Sequence, residues 1–406
     1  MKVTISPSQL NGEIAARASK SQAHRMLICA ALSDAPCRIY CDSLSEDIIA
    51  TADCLNSLGA DIKYSDGFFS INPIKTPIPS TVLDCRESGS TLRFMISVVA
   101  ALGTNSTFIM SGRLPERPLS PLKEELEAHG IVFSKPTNYT LKVSGKLSGG
   151  DFSLDGGVSS QFISGLLLAL PFMEESSLSV TGDTQSADYI TMTVRAMENF
   201  GVKLDISGST YKIKSGSYTA KAEYKVEGDW SNGAFWICAE KLTSGKIFCT
   251  NLDENSPQGD RKIAEIAALL TENNSSNIVI DAANIPDLVP IICVTAVNRI
   301  GQTIIQNASR LRIKESDRIK STAAMINALG GRAEETADGL IITGRGGLKG
   351  GTFDSFNDHR IAMSGAIASL ICTSPVIITG AEAVNKSYPD FWKDFEKLGG
   401  KIKTEN

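Results

Sequence analysis

The sequence predicts an α/β protein built from six repeated units that are divided between two domains. Three observations favour this fold class. The same pattern, an apolar helix end followed by a glycine and a short strand, recurs along the chain. The copies are spaced almost evenly, which is the signature of internal repetition. The chain has 406 residues, more than a single hydrophobic core usually accommodates.

The repeats are marked by glycines that follow a periodic apolar run. A glycine there is typical of a helix C-terminus, because it adopts the left-handed backbone conformation easily. These glycines are Gly59, Gly130, Gly201, Gly330 and Gly399, at spacings of 71, 71, 129 and 69 residues. The long interval fits one degenerate copy at residues 266–274, with Asn274 in place of the glycine. Six units of about 68 residues therefore account for the chain, with the most favoured domain joint after Asp229.

Composition argues against several classes of protein. The net charge is −5, whereas a general nucleic-acid binder usually carries a basic excess. The most apolar long stretch, residues 362–381, is broken by serines, Thr373 and Pro375, so it predicts a buried helix and a strand rather than a membrane span. The N-terminus has no apolar signal core, and the nine cysteines include no Cys-x-x-Cys pair. We therefore expect a cytoplasmic protein with reduced thiols and no metal site.

The first candidate site lies near the N-terminus, ahead of an apolar helical run that starts at Met26. Ser19, Lys20 and Ser21 are small or cationic residues at this helix start, and Arg25 adds a second positive charge. Free backbone N–H groups point outward at a helix start, so such a segment can bind an anion. An ordinary N-cap with solvated cations explains the segment equally well.

Two further segments have an unusual backbone at a candidate ligand site: one contains a glycine that allows close approach, and the other holds an arginine in a loop stiffened by prolines. Gly89 is flanked by hydroxyl residues ahead of an apolar helix, where it would allow close backbone approach by a ligand. Arg117 stands between Glu116 and Pro118 in a loop that two prolines stiffen. An arginine on a rigid loop can form a bidentate contact with phosphate or carboxylate.

A third helix start carries hydroxyl and amide groups. Ser159, Ser160 and Gln161 are first of all a capping signal, but they would also suit a bound phosphate. Ser186 and Tyr189 stand in a comparable place before a helix that ends near Gly201.

The second half of the chain supplies carboxylates beside cations. Asp287 is a stabilising charge at a helix start or a base that accepts a proton. Residues 310–318 include Glu315 and Arg318, which as a pair could also be a surface ion pair. Residues 357–360 add an arginine and one of three histidines. Such a mixture suits a site that grips anionic substrates and moves a proton.

Nine short segments together resemble the 5-enolpyruvylshikimate-3-phosphate synthase family. They occur in the family's order, and the resemblance runs from residue 3 to about residue 402. One such segment would be weak evidence, whereas nine in sequence are highly specific. The segments are residues 19–25, 87–93, 115–119, 159–161, 227–229, 285–287, 314–318, 357–360 and 386–390.

The resemblance implies a two-domain, pseudo-threefold, inside-out α/β barrel with three βαβαββ units in each domain. Residues 1–18 plus 228–406 would form the C-terminal domain, and residues 19–227 would form the N-terminal domain. The family binds its substrates in the interdomain cleft, and closure of that cleft excludes water.

The resemblance also implies a reaction. The enolpyruvyl group of phosphoenolpyruvate moves to the 5-hydroxyl of shikimate 3-phosphate and phosphate is released, with no cofactor and no metal, in a monomeric enzyme. The residues implied to bind shikimate 3-phosphate are Lys20, Ser21, Arg25, Ser159, Ser160, Gln161, Ser186, Tyr189, Asp287 and Lys314. Those implied to bind phosphoenolpyruvate are Lys20, Gly89, Arg117, Gln161, Arg318, Arg360 and Lys386. Asp287 is implied as the base for the hydroxyl, Glu315 as the acid for C3 and Lys20 as an electrostatic aid.

The chain departs from the family at Arg310, where many members have an asparagine that contacts the substrate phosphate. Two alternative functions fit the sequence less well. The sister enzyme that uses UDP-N-acetylglucosamine carries a reactive cysteine in the loop that corresponds to residues 112–119, and this chain has none there. A non-catalytic anion-binding repeat scaffold would have no reason to keep Asp287 and Glu315 together with the cations of both ligand sets.

Overall fold

The structure is a computed structural model that describes residues 1–243, 245–272 and 277–405. The chain divides into two compact units. We call Ala18–Glu227 the N-terminal unit, and Met1–Arg17 with Gly228–Asn406 the C-terminal unit. In the described ranges, every helix is too short or too polar to cross a membrane. All nine cysteines are described, and each is a free thiol.

The first part of the chain alternates strands and helices. Its strands are β1 (Lys2–Ser6), β2 (Gly12–Ala15), β3 (Cys37–Tyr40), β4 (Asp61–Ser65), β5 (Phe68–Asn72), β6 (Ser80–Asp84), β7 (Asn105–Ile109), β8 (Val132–Thr137), β9 (Thr140–Ser144), β10 (Asp151–Asp155), β11 (Ser176–Thr181), β12 (Asp205–Ser207), β13 (Thr210–Ile213) and β14 (Glu223–Lys225). Its α-helices are α1 (Lys20–Ala31), α2 (Glu46–Ser57), α3 (Gly89–Leu102), α4 (Leu122–Ala128), α5 (Ser160–Ala169) and α6 (Ala187–Asn199). Short 3-10 helices lie at Leu114–Glu116 and Leu170–Phe172.

The second part repeats this alternation. Its strands are β15 (Ile247–Thr250), β16 (Ile278–Asp281), β17 (Ile300–Gln306), β18 (Ala333–Glu335), β19 (Leu340–Arg345), β20 (Gly351–Asp354), β21 (Val376–Thr379) and β22 (Lys401–Glu405). Its α-helices are α7 (Trp230–Leu242), α8 (Ile263–Glu272), α9 (Val289–Asn298), α10 (Arg318–Ala328), α11 (His359–Ala368) and α12 (Phe391–Lys397). Short 3-10 helices lie at Gly259–Lys262, Pro286–Leu288, Ser309–Ile313, Ser369–Ile371 and Ala381–Lys386.

Three four-stranded sheets make up the N-terminal unit, in the orders β14-β3-β5-β4, β6-β7-β9-β8 and β10-β11-β13-β12. In each sheet the first two strands are parallel and the other pairs are antiparallel. A parallel pair needs a crossover connection, which α3 supplies between β6 and β7 and α5 between β10 and β11. The repeated order is therefore βαβαββ.

The C-terminal unit repeats this plan with one reduced copy. Its sheets have the orders β16-β17-β19-β18, β20-β21-β1-β22 and β15-β2 across the described residues. The two-stranded sheet belongs to the copy for which the sequence predicted a degenerate helix end; residues 266–272 fall in α8, and Asn274 lies outside the described residues. Six sheets of repeated units confirm the predicted α/β fold class.

One helix of each repeat lies in the hydrophobic core. In the N-terminal unit α1, α3 and α5 pack against one another, and residues 91–101 of α3 are all buried. In the C-terminal unit α7, α9 and α11 do the same, with residues 289–297 of α9 all buried. A helix that is buried on every side is a core element. Strands such as β10 bury alternate residues, so one sheet face covers the core and the other faces solvent.

These inner helices begin earlier than their apolar runs predict. The helices α1, α3 and α5 begin at Lys20, Gly89 and Ser160, ahead of the apolar runs that start at Met26, Phe94 and Phe162. In each, the preceding serine accepts a backbone N–H of the first turn with its side chain: Ser19 from Gln22, Ser88 from Thr91 and Ser159 from Gln161. The capping bonds extend the helix over the polar residues and set the candidate site residues on its first turn.

The loops that lead into four inner helices are shaped by an aspartate at the end of the preceding strand. Each carboxylate accepts the backbone N–H of the second residue that follows it, which turns the chain out of the sheet. These aspartates are Asp84, Asp155, Asp281 and Asp354, with N···O distances of 2.9, 2.7, 2.8 and 2.6 Å. None of these four aspartates stands out in the sequence as a candidate site residue.

Candidate active site

The N-terminal unit gathers its candidate residues at the first turns of α1, α3 and α5. Lys20 begins α1, and its Nζ lies 2.9 Å from Asp47 Oδ2 on α2. Both side chains are largely covered, so the charges are shielded from water and their attraction exceeds that of a surface pair. Ser21, the next residue of α1, accepts a hydrogen bond from Arg25 Nη1 with its carbonyl oxygen at 2.6 Å.

Arg25 is buried and ties three helices together. Its Nε donates to Thr193 Oγ1 at 2.7 Å, and its Nη2 donates to Ser164 Oγ at 3.2 Å and to the Tyr189 carbonyl at 3.0 Å. Burial lowers the pKa of Arg25 to about 10, which leaves the guanidinium charged at neutral pH. The Tyr189 ring centroid lies 6.0 Å from Arg25 Cζ, at the start of α6.

A glutamine links the starts of α5 and α3. Gln161 Oε1 accepts a hydrogen bond from Arg93 Nη1 at 2.6 Å, and Gln161 Nε2 donates to Ser90 Oγ at 2.9 Å. Arg93 also donates to the Pro118 carbonyl at 3.1 Å, which fixes the arginine loop. These contacts show that the N-termini of the two inner helices are neighbours.

Gly89 lies directly beneath the guanidinium of Arg117. A Cβ atom added at Gly89 would lie 2.5 Å from Arg117 Nη1 and 2.8 Å from Arg117 Cζ. The absence of a side chain at residue 89 therefore allows the guanidinium to lie on the first turn of α3. At the start of α5 Ser160 is buried, and at the start of α6 Ser186 is buried in the left-handed conformation, with φ 56°.

In the C-terminal unit, Arg318 is the centre of the candidate site. Its side chain is 1% exposed. Its Nη1 donates to Asp287 Oδ1 at 2.8 Å, and its Nη2 donates to Glu315 Oε2 at 2.7 Å. Its Nε donates to Asp358 Oδ2 at 2.9 Å. One guanidinium therefore holds both carboxylates that the sequence proposed for proton transfer.

Two further cationic side chains lie close to Asp287. Arg360 Nη2 lies 3.4 Å from Asp287 Oδ2, and Lys314 Nζ lies 3.9 Å from Asp287 Oδ1. Burial alone would raise the pKa of Asp287. The charges of Lys314, Arg360 and Arg318 outweigh burial and hold this pKa well below its ordinary value, so the carboxylate is ionised.

Three cations of the C-terminal unit donate hydrogen bonds to backbone carbonyl groups. Lys386 Nζ donates to the Asn357 carbonyl at 2.8 Å, and the lysine is nearly buried. Arg360 Nη1 donates to the Ser231 carbonyl at 3.0 Å. Arg310, the departure from the family pattern, donates from Nη2 to the Ala283 carbonyl at 3.0 Å.

Sequence reasoning missed four residues that support these groups. They are Asp47, Arg93, Asp260 and Asp358, which contact Lys20, Gln161, Ser231 and Arg318 respectively. Arg93 and Asp358 stood inside segments that had been noticed. Asp47 and Asp260 carry no local signal, because their partners are distant in sequence.

No cluster of three or more histidine, cysteine or acidic side chains in the described part of the chain is arranged to hold a metal ion. The candidate site is made of cations, carboxylates, hydroxyl groups and helix N-termini. These groups bind anions and transfer protons.

The fold has six repeated α/β units, and its site has cations, carboxylates and hydroxyl groups at or near helix starts, such as Lys20 on α1, Arg318 on α10 and Arg360 on α11. This combination is that of an enolpyruvyl transferase type of α/β protein. A model of the family described as EPSP synthase (3-phosphoshikimate 1-carboxyvinyltransferase) matches residues 5–395. The chain therefore belongs to the EPSP synthase family, and the resemblance drawn from the nine segments is confirmed.

Individual relatives match this chain over its full length or nearly so. The chain is 42% identical to the 3-phosphoshikimate 1-carboxyvinyltransferase of Clostridium novyi (strain NT), with 98% of each chain covered. It is also 42% identical to the enzyme of that name from Clostridium perfringens, with 100% of each covered. A solved EPSP synthase structure from Acinetobacter baumannii has a TM-score of 0.81 at 24% identity, covering 99% of this chain and 100% of that one, which shows a shared fold.

Proposed function

We propose that this protein is an enzyme of the shikimate route to aromatic amino acids. It transfers the enolpyruvyl group of phosphoenolpyruvate to the 5-hydroxyl of shikimate 3-phosphate and releases phosphate. The observation that carries this function is the cluster around Arg318, where one buried guanidinium holds Asp287 and Glu315 beside the further cations Lys314 and Arg360. Family membership and full-length relatives at 42% identity support the same reaction.

We propose that the ligand-binding residues are those that the family resemblance implies. Shikimate 3-phosphate would be held by Lys20, Ser21, Arg25, Ser159, Ser160, Gln161, Ser186 and Tyr189 of the N-terminal unit and by Asp287 and Lys314 of the C-terminal unit. Phosphoenolpyruvate would be held by Lys20, Gly89, Arg117 and Gln161 of the former and by Arg318, Arg360 and Lys386 of the latter. Their support is chemical: cations and helix N-termini neutralise the phosphate and carboxylate groups of both ligands.

The reaction needs two proton transfers. In the proposed mechanism Asp287 accepts the proton of the 5-hydroxyl as its oxygen bonds to C2 of phosphoenolpyruvate, and Glu315 gives a proton to C3. The resulting tetrahedral intermediate loses phosphate from C2, and C3 returns a proton as the double bond re-forms. Lys20 stabilises negative charge. Binding of the anionic substrates draws the neighbouring cations away from Asp287, which makes the carboxylate a stronger base.

We also propose that the domains are residues 1–18 plus 228–406 and residues 19–227, and that the enzyme is a monomer of the cytoplasm. These assignments follow the family resemblance. Light scattering of the purified protein with and without both substrates measures the oligomeric state directly.

Phosphate release is the direct test of the function. The purified protein is expected to release phosphate only when phosphoenolpyruvate and shikimate 3-phosphate are both present, and the new product should carry the enolpyruvyl group. Activity with UDP-N-acetylglucosamine in place of shikimate 3-phosphate would favour the sister enzyme. Binding of both ligands without any turnover would favour the non-catalytic scaffold.

The Gly89→Ala variant should separate phosphoenolpyruvate binding from stability. The new Cβ would displace the flexible end of Arg117, while alanine is well tolerated on the first turn of a helix. Loss of one charge-assisted contact is worth about 1.5–3 kcal/mol, so we expect KM for phosphoenolpyruvate to rise about 10–100-fold with little change in the unfolding midpoint.

The matched control is Gly216→Ala, because an added Cβ there meets only a backbone oxygen at 3.7 Å. Steady-state kinetics of both variants, with each substrate varied in turn, make the comparison. An unchanged KM for phosphoenolpyruvate in Gly89→Ala would remove Arg117 from its proposed contact.

A further inference from the structure

The fourth repeat has an unassigned residue where the other repeats carry site residues. In each of the other repeats, a charged or polar side chain at or before the second helix supports or forms the candidate site. These side chains are Asp47, Arg117, Ser186, Arg318 and Lys386. In the fourth repeat the corresponding turn is the 3-10 helix Gly259–Lys262, which precedes α8 and carries Asp260.

Asp260 is connected to the Arg318 cluster through α7. The carboxyl group is buried, and residue 260 is 2% exposed. The Ser231 hydroxyl donates a hydrogen bond to Asp260 Oδ2. The carbonyl of the same serine accepts from Arg360 Nη1 at 3.0 Å, and Arg360 Nη2 lies 3.4 Å from Asp287. Oδ1 of Asp260 has no hydrogen-bond partner within the described residues.

A buried carboxyl oxygen without a donor is energetically unfavourable when the group is ionised. The ionised form of Asp260, which Ser231 connects to Arg360, therefore lacks a stabilising donor at Oδ1 among the residues that the structure describes. Two charged carboxylates, Asp260 and Asp287, would also compete for the same guanidinium and would oppose an anionic ligand placed there.

We propose that Asp260 is a positioning residue: whether its carboxyl group carries a proton decides how strongly the Arg360 guanidinium binds the anionic substrate. With the proton on, Asp260 is neutral, and Arg360 is shared between Asp287 and phosphoenolpyruvate. Without the proton, the Asp260 carboxylate competes with the substrate anion for the positive charge of Arg360 and weakens substrate binding. This inference rests on the proposed function, because it takes Arg360 to be a phosphoenolpyruvate ligand.

The charged groups that face Asp260 decide when the proton leaves. Burial raises the pKa of Asp260 to about 7, and Asp287 on the 3-10 helix Pro286–Leu288 raises it as well. Arg360 on α11 and the Ser231 hydroxyl on α7 lower this pKa, whereas Asp229, the cap of α7, raises it. The charge of Asp260 therefore changes within the neutral pH range, not near pH 4 as for an ordinary aspartate.

The test compares Asp260→Asn with the wild-type enzyme by kcat/KM for phosphoenolpyruvate from about pH 6 to about pH 8.5. Asparagine keeps the oxygen that accepts from Ser231 but stays neutral. The ratio of variant to wild type is expected to rise about tenfold across this range, since only the wild-type enzyme gains the opposing charge. Ionisation of the substrates affects both enzymes equally and cancels in the ratio.

A second variant tests the same proton without removing the carboxyl group. Ser231→Ala deletes a donor that lowers the pKa of Asp260, so the fall in kcat/KM should move to higher pH. Glu254→Gln is the matched control, because it removes one exposed negative charge from the same segment and should leave the profile unchanged.

Three outcomes contradict the inference. They are a pH-independent ratio for Asp260→Asn, an unmoved profile for Ser231→Ala, or the same change in Glu254→Gln. If Asp260→Asn does not fold, the Ser231→Ala profile decides alone. A wild-type protein that makes no product from the two substrates would instead contradict the proposed function.

Discussion

Replacing Asp287 with asparagine is expected to lower kcat by about 10²–10⁴-fold, which is the range for loss of a general base. Asparagine has nearly the same shape, so binding of both substrates should be largely kept. The substitution also removes one negative charge from beside Arg318, Arg360 and Lys314. The neutral asparagine repels bound anions less than the native carboxylate does. The loss should therefore appear in kcat and not in KM.

The lowered pKa of Asp287 must be reconciled with its proposed role as a general base. In the absence of ligands, the three cations keep the carboxylate ionised but weakly basic. Two bound anionic substrates would share those cations, and the pKa of Asp287 would then rise toward neutrality. A general base works best when its pKa is near the working pH. In the proposed mechanism, the lowered pKa keeps Asp287 deprotonated, and so able to accept a proton, before the substrates bind.

The measurement is single-turnover and steady-state kinetics of the purified Asp287→Asn variant. Glu334→Gln is a suitable control, since Glu334 is an exposed partner of Arg332 on the same unit and should not affect turnover. A variant at residue 287 that turned over at the wild-type rate would remove Asp287 from the mechanism.

Replacing Arg318 with methionine is expected to lower the free energy of unfolding by about 3–5 kcal/mol, because it removes one member of a buried ion cluster. The guanidinium has hydrogen bonds to three carboxylates, and Asp358 is 0% exposed. Without Arg318 the buried Asp358 loses its cation, and Asp287 and Glu315 each lose one ion-pair partner. Chemical denaturation at neutral pH measures this loss.

The difference between the Arg318→Met variant and the wild type should depend on pH in a defined direction. The pKa of Asp287 is lowered in the folded protein, so its contribution to stability is present at neutral pH and is lost as pH falls through its folded value. In the variant this lowering is smaller, and the gap between the proteins should shrink below about pH 4.

The control for Arg318→Met is Arg332→Met, which breaks an exposed pair with Glu334 and should change the free energy of unfolding by less than about 0.5 kcal/mol. Equal stability of Arg318→Met and the wild type would contradict a structural role for the cluster. A gap that widened in acid would contradict the proposed electrostatic origin.

The repeat pattern predicted the fold class because its signals are local. A glycine after an apolar helix end reports a C-cap, and five such glycines at near-even spacing report the repeat. The starts of the inner helices were predicted too late, since the capping serines extend each helix over polar residues that an apolar run does not include.

The sequence proposed candidate site residues one by one, but it did not predict the contacts among them. The segment at 314–318 predicted Lys314, Glu315 and Arg318 as neighbouring charges that suit either a proton-transfer site or a surface ion pair. It could not reveal Asp358, which lies forty positions along the chain from its partner Arg318. Nor could it reveal Asp260, since a single aspartate in a polar loop has no periodicity and no motif.

The amino-acid sequence by itself determined the six-unit α/β plan, the family and the segments that carry charge, because helix caps, apolar periodicity and motif order are written in neighbouring residues. Only the tertiary structure decided which carboxylate receives which cation. Hydrogen bonds and ion pairs depend on distances of about 3 Å between atoms, and packing of α10 against the inner helices α9 and α11 sets those distances for Arg318, Asp287 and Asp358. The same packing places Asp260 and Arg360 on either side of Ser231, a contact that no local pattern could predict.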